Sequence, residues 1–529
     1  MDEVQKLALE TIQMNKQALV FAPNRAGAEK TAEDLSKLTN LQLPELEKEI
    51  LKAASVPTKQ CRRLSHCIRK GIAFHHAGLL EQQRSLIEDE FRKGTIKIIC
   101  CTPTLAAGLS LPAFRVIIKS LKRYSSQWGM GWIPVLEYLQ MAGRAGRPEY
   151  EQFGEAISIA KDETEKDEIY ERYVCGQPED ISSKLAVEPV LRTYLLSLIS
   201  SGIIRDEKTM KEFFAKTFWA HHFADVQKLE LILKKMLALL CEWGFVDAGN
   251  VVKNGQESEF VAASCINNVS NSKNNIDDSK VRFKPLLLGK RVSELYLDPL
   301  TAKHLIDCLE HFNEIKFNKA KGTPFSLLQI ISNTLEMRPL LRVKSKEEDY
   351  INDELVKHYN LLLEEEPSAY DLEYEQFMDS VKTALFFESW IDEKDEDFLL
   401  DKYDIRPGEI RVKIEVADWL LYACEELAKI KECKDAVREI RKLRIRVKYG
   451  VREELLPLLK LKGIGRIRAR KLYSQGIKDV GDLKKANIIT LTQLIGKATA
   501  ESVKEQIDDA VEEVPQGKRK GQLSIMKKY

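Results

Sequence analysis

Between residues 18 and 159 the chain repeats one pattern: a short run of mostly apolar residues, then a longer stretch with helical periodicity. The runs are Ala18-Leu-Val-Phe-Ala22, Ile72-Ala-Phe74, Ile96-Lys-Ile-Ile-Cys-Cys101, Val116-Ile-Ile118 and Glu155-Ala-Ile-Ser-Ile159. Each carries consecutive apolar residues, so a sheet built from them has both faces covered. Short buried strands separated by helices, such as the one expected over 26–38, pack as a parallel sheet. The pattern predicts an α/β domain over residues 1–182.

The rest of the chain reads differently. From Ser183 to about Val252 the periodicity is helical, with a break at Gly244-Phe-Val246, which predicts a winged-helix module over 183–288. Residues 249–280, rich in Asn, Ser, Asp and Lys, read as a surface loop within it. Residues 289–445 are almost wholly helical, 446–513 form a compact helical unit with Gly-Ile-Gly turns, and 514–529 read as a flexible basic tail. The expected fold class is multidomain, α/β plus all-α.

A formal net charge of +1 conceals two opposed segments. Residues 346–401 hold 19 acids and 4 bases, whereas 438–471 hold 13 bases and 3 acids. The basic segment is the electrostatic candidate for contacting phosphates, and the acidic one reads as a solvated helix face. The 10 cysteines form no C-x-x-C pair. Cys61 and Cys67 flank His66 at a spacing that fits no common zinc module, and His221-His222 reads as surface, so no metal is expected. The apolar stretch Leu229–Leu240 is broken by lysines and too short to span a bilayer, and the N-terminal residues are no signal peptide. A cytoplasmic location is expected, without a membrane partner.

The strongest local signal is Gln140-Met-Ala-Gly-Arg-Ala-Gly-Arg-Pro148. Arg144 and Arg147, spaced by small residues, can face one anion, and guanidinium groups are rigid bidentate donors to phosphate oxygens. Three segments precede it in order: Leu19–Leu35 (LVFAPNRAGAEKTAEDL), Gly71–Gly94 with FHHAGLL and FRKG, and Cys101–Pro112 (CTPTLAAGLSLP). Together they resemble motifs IV, IVa, V and VI of superfamily 2 helicases. The wording of the last three is similar to the Ski-two-like branch, and within it to the archaeal DNA repair helicases of the Hjm family. RVSELYLDPLTA from Arg291 and RVKYGVREELL from Arg446 extend the resemblance over nearly the whole chain.

The resemblance implies a second RecA-like domain over 1–182, a helical ratchet domain over 289–445 and a helix-hairpin-helix domain over 446–513. It implies that Arg144 and Arg147 reach the γ-phosphate of ATP, with Gln140 nearby; such fingers contribute roughly 10³–10⁵ in rate. Gly108 would lie near the nucleotide, and Arg25, Thr102 and Thr104 would face the nucleic-acid backbone. Ser110 stands where the family usually has Asn. No G-x-x-x-x-G-K-[ST] and no D-E-x-H box occurs in the sequence, and Lys30-Thr31 follows Glu29 inside a helix. ATP and Mg²⁺ would therefore be held mainly by a first RecA-like domain that the 529 residues do not include. A split gene with a separate P-loop chain, a misassigned start or fragment, and a non-catalytic DNA-binding subunit are the readings this leaves. Met1, a few residues before the expected first strand, favours a clean split or fragment.

Three further segments carry nucleic-acid chemistry. Arg123–Tyr138 reads as a β-hairpin turning at Gly129-Met-Gly131; in the resembled family a hairpin here splits the duplex, with Met130 or Trp132 as apolar wedge. Arg411–Ile430 is one long amphipathic helix after Pro407-Gly408. By resemblance it is the ratchet helix, with Trp419 stacking on a base, and Arg411 and Lys413 flank Val412 where the family has an arginine. Leu461–Arg470 is a helix-hairpin-helix signature. Gly463 and Gly465 free backbone N–H groups for a phosphate and Arg466, Arg468 and Arg470 add charge; a weaker copy follows at Leu494–Ala500. Such binding is sequence-independent and points to DNA, not RNA; single-stranded and forked DNA as the partners is what the resemblance implies. The tail partly resembles a sliding-clamp-binding peptide through Gln522, Ile525 and Tyr529, with Lys528 in place of an aromatic. The expected function is the C-terminal part of an ATP-dependent 3′-to-5′ DNA helicase acting at forks under repair.

Overall fold

A computed structural model describes the chain except residues 55–56, 109–110, 126–128, 147–152, 186, 224–225, 250–281, 318–323 and 513–529. Most of the loop 249–280, the whole tail 514–529 and the clamp-peptide residues Gln522, Ile525 and Tyr529 thus lie outside the described residues. Contacts divide the chain into two units, residues 1–182 with 396–412, and residues 183–395 with 413–529. The segment 396–412, which the sequence places with the helical stretch 289–445, packs with the first unit.

The first unit is built on five parallel strands, β1 (Ala18–Phe21), β2 (Ile72–His75), β3 (Ile98–Cys101), β4 (Arg115–Ile118) and β7 (Glu155–Ser158), in the order β2-β3-β1-β4-β7. β1 to β4 are buried at every position, as continuous apolar runs require when helices cover both faces. Only β7, at the edge, is partly exposed. Phe21, Phe74 and Phe91 fill the core. Buried Arg115 ties the edge together: its Nε donates to Glu155 Oε2 (2.6 Å) and its Nη1 to Glu10 Oε2 (2.9 Å) and the Leu7 carbonyl (2.9 Å). β5 (Lys122–Ser125) and β6 (Gly129–Trp132) pair antiparallel with Tyr124 opposite Met130. Gly129–Gly131 are therefore strand residues, not the turn expected there.

Residues 406–408 dock on the loop after β2. Gly408 N donates to Gly78 O (3.0 Å). A Cβ on Gly408 would lie 2.4 Å from Ala77 O and 2.5 Å from Leu79 O, and one on Gly78 would lie 2.6 Å from Arg406 Cδ. Both glycines are required by close approach. Gly408→Ala is expected to destabilise the first unit by about 1–3 kcal/mol, read as a lower unfolding midpoint in denaturant.

The second unit is helical. Helices Glu188–Ser200, Glu207–Phe214, Phe218–Phe223 and Val226–Glu242 precede a two-residue ladder between β8 (Val246–Asp247) and β9 (Lys284–Pro285). The longer helices that follow include Pro299–Phe317, Tyr374–Ile391 and Lys434–Tyr449. The helix Pro407–Ile430 begins in the first unit, and its residues from Lys413 belong to the second. Helices Arg466–Ser474, Val480–Lys485, Ile488–Ile495 and Lys497–Glu512 enclose their own core around Leu472, Leu483, Leu491 and Val503. No helix among the described residues is long and apolar enough to cross a membrane.

Candidate nucleic-acid interface

The C-terminal ends of parallel strands are where an α/β sheet exposes loops and helix starts. Here they line a cleft of about 830 Å³. Arg25 enters it from the first turn of helix Arg25–Ser36, which Asn24 caps by accepting from Gly27 N (2.7 Å). Thr102 and Thr104 enter from the end of β3, their hydroxyls 2.9 Å apart. Two motifs far apart in sequence thus meet in one place. Gln140 is exposed on helix Val135–Ala142 and lines the same cleft, whereas Arg144 does not. Arg123 contributes a further guanidinium, paired with Glu137 Oε1 at 2.9 Å.

Arg144 is half-buried, and its Nε (3.1 Å) and Nη2 both donate to the carbonyl of Ala106. The fork expected to face a phosphate is, in this structure, spent on the short helix Thr104–Gly108, joining the two motifs. The backbone reinforces the join: Ala113 N donates to Arg144 O (2.9 Å) and Gly146 N to Ala113 O (2.7 Å). Gly146 has φ +93°, and a Cβ on Gly154 would lie 2.1 Å from Gly146 N, so this turn excludes side chains. Arg147 lies outside the described residues. Gly108 is exposed, with open space where a Cβ would be. Among the described residues no three His, Cys, Asp or Glu are grouped to hold a metal.

The two wedge candidates separate. Met130 is 67% exposed. Trp132 packs edge-on against Tyr173 (5.9 Å between centroids), with Lys122 Nζ 4.1 Å from its ring. Trp132 anchors the root of the hairpin and is not free to act as a wedge.

On the long helix Arg411 is exposed. Lys413 is not an equivalent base: its ammonium donates to the carbonyls of Pro339 (2.8 Å) and Met337 (3.3 Å), and burial pulls its pKa down to about 8. Trp419 is half-buried, and its indole N–H donates to Leu295 O at 3.0 Å. That bond fixes the ring's orientation and leaves part of its surface accessible.

In the helix-hairpin-helix unit Gly463 has φ +86°, and Gly465 is the N-cap of helix Arg466–Ser474. The three arginines divide. Arg468 is exposed and donates to Gly463 O (2.8 Å). Arg466 lies over the Trp390 ring, 4.9 Å from its centroid, and donates to Lys394 O. Arg470 forms a bidentate pair with Glu393 and meets Glu454 at 2.9 Å. The hydrogen bond to Glu393 raises its pKa. Arg470 is therefore a structural cation, and its expected role as phosphate countercharge is corrected here. The pairing also joins the acidic and basic segments, so the acidic run is not merely a solvated face. Arg441 with Glu425 (2.6 Å) and Arg444 with Asp418 (2.7 Å) neutralise more of the basic segment internally.

Sequence reading missed the residues beneath the cleft. Glu29 is buried and accepts from Gln60 Nε2 (2.7 Å), Arg63 Nη1 (2.8 Å), His76 Nε2 (3.0 Å) and Arg406 Nε (3.3 Å). His76 Nδ1 accepts from Gly78 N (3.1 Å), which leaves Nε2 to carry the proton. Burial alone would raise the Glu29 pKa, but the bonds from His76 and Gln60 bring it down to about 2. Burial lowers that of His76. The second histidine of FHHAGL and Pro407-Gly408 were the only traces of this hub in the sequence.

Residues 1–149 match the helicase conserved C-terminal domain, 325–450 the archaeal helicase domain 4 and 455–509 the SAM-like helix-hairpin-helix tandem. The chain is 37% identical over 530 residues to the ATP-dependent DNA helicase Hel308 of Methanocella arvoryzae, covering 97% of this chain and 66% of the relative. It is 36% identical over 530 residues to the protein of that name from Pyrococcus horikoshii, covering 98% and 68%. The Hel308 of Methanococcus vannielii is 39% identical over 459 residues, covering 85% of this chain and 59% of its own length. The chain thus spans about two thirds or less of the length of these relatives. With three family domains matched in order and identity sustained from end to end, the chain belongs to the Hel308 family of archaeal Ski-two-like helicases.

Proposed function

We propose that these residues form the DNA-handling and arginine-bearing part of an ATP-dependent DNA helicase that opens forked duplexes in the 3′-to-5′ direction. The observation that carries this is the convergence of Arg25, Thr102 and Thr104 in one cleft at the ends of the strands. A guanidinium and two hydroxyls there suit successive phosphates of a single strand, a contact independent of sequence. Met130 projects from the hairpin as the apolar group that meets the last base pair. Arg468 and the glycine turn at Gly463–Gly465 hold backbone further along, and Trp419 offers a face on which a base stacks, a contact of roughly 1–3 kcal/mol. Arg144 and Arg147 complete a nucleotide site whose phosphate-cradling lysine and magnesium carboxylate come from a P-loop domain. For Arg144 this means exchanging the Ala106 carbonyl for a phosphate oxygen, a stronger, charge-assisted partner.

The 529 residues as purified are expected to hydrolyse ATP negligibly, because nothing in them cradles the β- and γ-phosphates. Supplying a RecA-like P-loop domain, as a separate chain or by fusion, should restore DNA-stimulated turnover. Deleting residues 126–131 from the restored enzyme should leave turnover intact and abolish strand separation on a forked substrate. If no P-loop domain restores turnover while DNA still binds, the protein is a non-catalytic DNA-binding subunit, a reading that the missing P-loop motif favours. A sliding clamp remains a proposed partner through Gln522, Ile525 and Tyr529; removal of residues 518–529 should abolish its capture.

A further inference from the structure

We infer that Arg406 is an additional phosphate-binding residue of the cleft, held beside Arg25 by Glu29 and taking the sugar-phosphate backbone of a single strand. The inference rests on the reading of the cleft as a nucleic-acid path. Arg406 lies far from every recognised helicase motif in sequence and reaches the cleft because 396–412 folds onto the first unit.

Its side chain is fixed along its length. The aliphatic stem passes over Gly78, where any Cβ would collide with it. Nε donates to Glu29, and the backbone N–H donates to Glu409 Oε2 (3.0 Å). The terminal nitrogens have no hydrogen-bond partner among the described residues; Asp404 Oδ1 stands 3.9 Å from Nη1. The side chain is 16% exposed and lines the cleft. A guanidinium gripped by Nε and open at its terminal edge is arranged for an outside acceptor.

Glu29 already receives Gln60, Arg63 and His76, so Arg406 is a fourth donor at the longest distance. A purely structural arginine would pair two N–H groups with the carboxylate, as Arg470 does with Glu393 through Nε and Nη2, whereas Arg406 gives Glu29 only Nε. Arg25 and Arg406 also repel one another: after burial, the Arg406 charge is the next cause that lowers the Arg25 pKa. Glu409, ion-paired with Arg25, offsets part of that repulsion, and an anion bound at both arginines would offset more of it. The same cleft is lined by Pro23, Pro103, Pro134 and Leu136, apolar surface that suits sugar faces and gives a free phosphate ion nothing.

The test uses the full chain and a fluorescein-labelled oligothymidylate, with affinity read by anisotropy across a salt series. Arg406→Gln should weaken binding several-fold at low salt and reduce the slope of log affinity against log salt by about 0.7, the loss of one single-strand phosphate contact. Arg406→Lys should retain the slope. An unchanged slope in Arg406→Gln overturns the proposal, whatever its effect on stability. Should that variant fail to fold, Arg406→Met, which keeps an aliphatic stem over Gly78 and removes only the charge, carries the same expectation. Arg25→Gln is measured in parallel. If it loses slope and Arg406→Gln does not, only the present inference fails; if neither loses slope, the nucleic-acid reading of the cleft fails with it. If inorganic phosphate at matched ionic strength displaces the oligonucleotide from the unsubstituted protein but not from Arg406→Gln, the site takes free phosphate, and the assignment to a strand is wrong.

Discussion

In an enzyme completed by a P-loop domain, Arg147→Ala is expected to lower DNA-stimulated ATP turnover by roughly 10³-fold or more. Affinity for single-stranded DNA should change by less than about twofold, because one guanidinium serves the nucleotide and the strand is held elsewhere. The measurement is steady-state phosphate release at saturating oligonucleotide, with anisotropy on the same samples. A loss of turnover matched by an equal loss of DNA affinity would remove the finger assignment. Arg144→Ala provides the contrast. Because Arg144 holds Ala106 O, its removal loosens the link between helix Thr104–Gly108 and the turn at Gly146 as well as removing the proposed phosphate donor. Thr102 and Thr104 lie just before and at the start of that helix, so Arg144→Ala should impair both turnover and strand binding, and Arg147→Ala only the first.

Glu29→Ala is expected to be among the most damaging single changes to the first unit, at about 3–5 kcal/mol, because it strands the buried donors of Gln60 and His76 and removes the acceptor of Arg406 and of the more exposed Arg63. Glu29→Gln, which keeps the shape and one acceptor oxygen, should cost less. The pH dependence follows from the depressed pKa. Glu29 releases its proton more readily folded, at about 2, than at its ordinary value of 4.5. Its contribution is therefore fully present above pH 4.5 and is lost as the pH falls towards 2. The shift corresponds to on the order of 3 kcal/mol. Denaturant unfolding of the native protein and Glu29→Gln should differ at neutral pH and converge as the solution approaches pH 2. A gap that persists at that pH would place the stabilisation in packing instead of charge.

The sheet was legible because each strand is a short, mostly apolar run bounded by helical periodicity; the observed strands match those runs to within two residues at either end. The cleft was half legible. Arg25, Thr102 and Thr104 sit in motifs whose order announces a shared surface. Arg144's partner did not show, because a main-chain carbonyl has no sequence signature. Arg470 looked like countercharge because its neighbours are basic; the carboxylate it answers is at Glu393, beyond the reach of local pattern. The glycines at 129 and 131 suggested a turn, yet both lie in β6. Trp132 looked like a wedge because aromatic residues announce apolar surface without saying which side of the hairpin is covered. Arg406 was invisible for the same reason as Arg470: its meaning lies in Glu29 and Gly78, neither of them near it in the chain.

Because the first unit is completed by 396–412, its folding cannot finish when residue 182 leaves the ribosome. At about 5–20 residues per second, Arg406 emerges on the order of ten to fifty seconds later. Throughout that interval the nascent sheet carries an ionised carboxylate short of one cation and a bare backbone groove over Ala77–Leu79. Its last step of assembly is thus a capture of late-made chain, timed by translation and open to whatever else in the cell binds an unfinished surface.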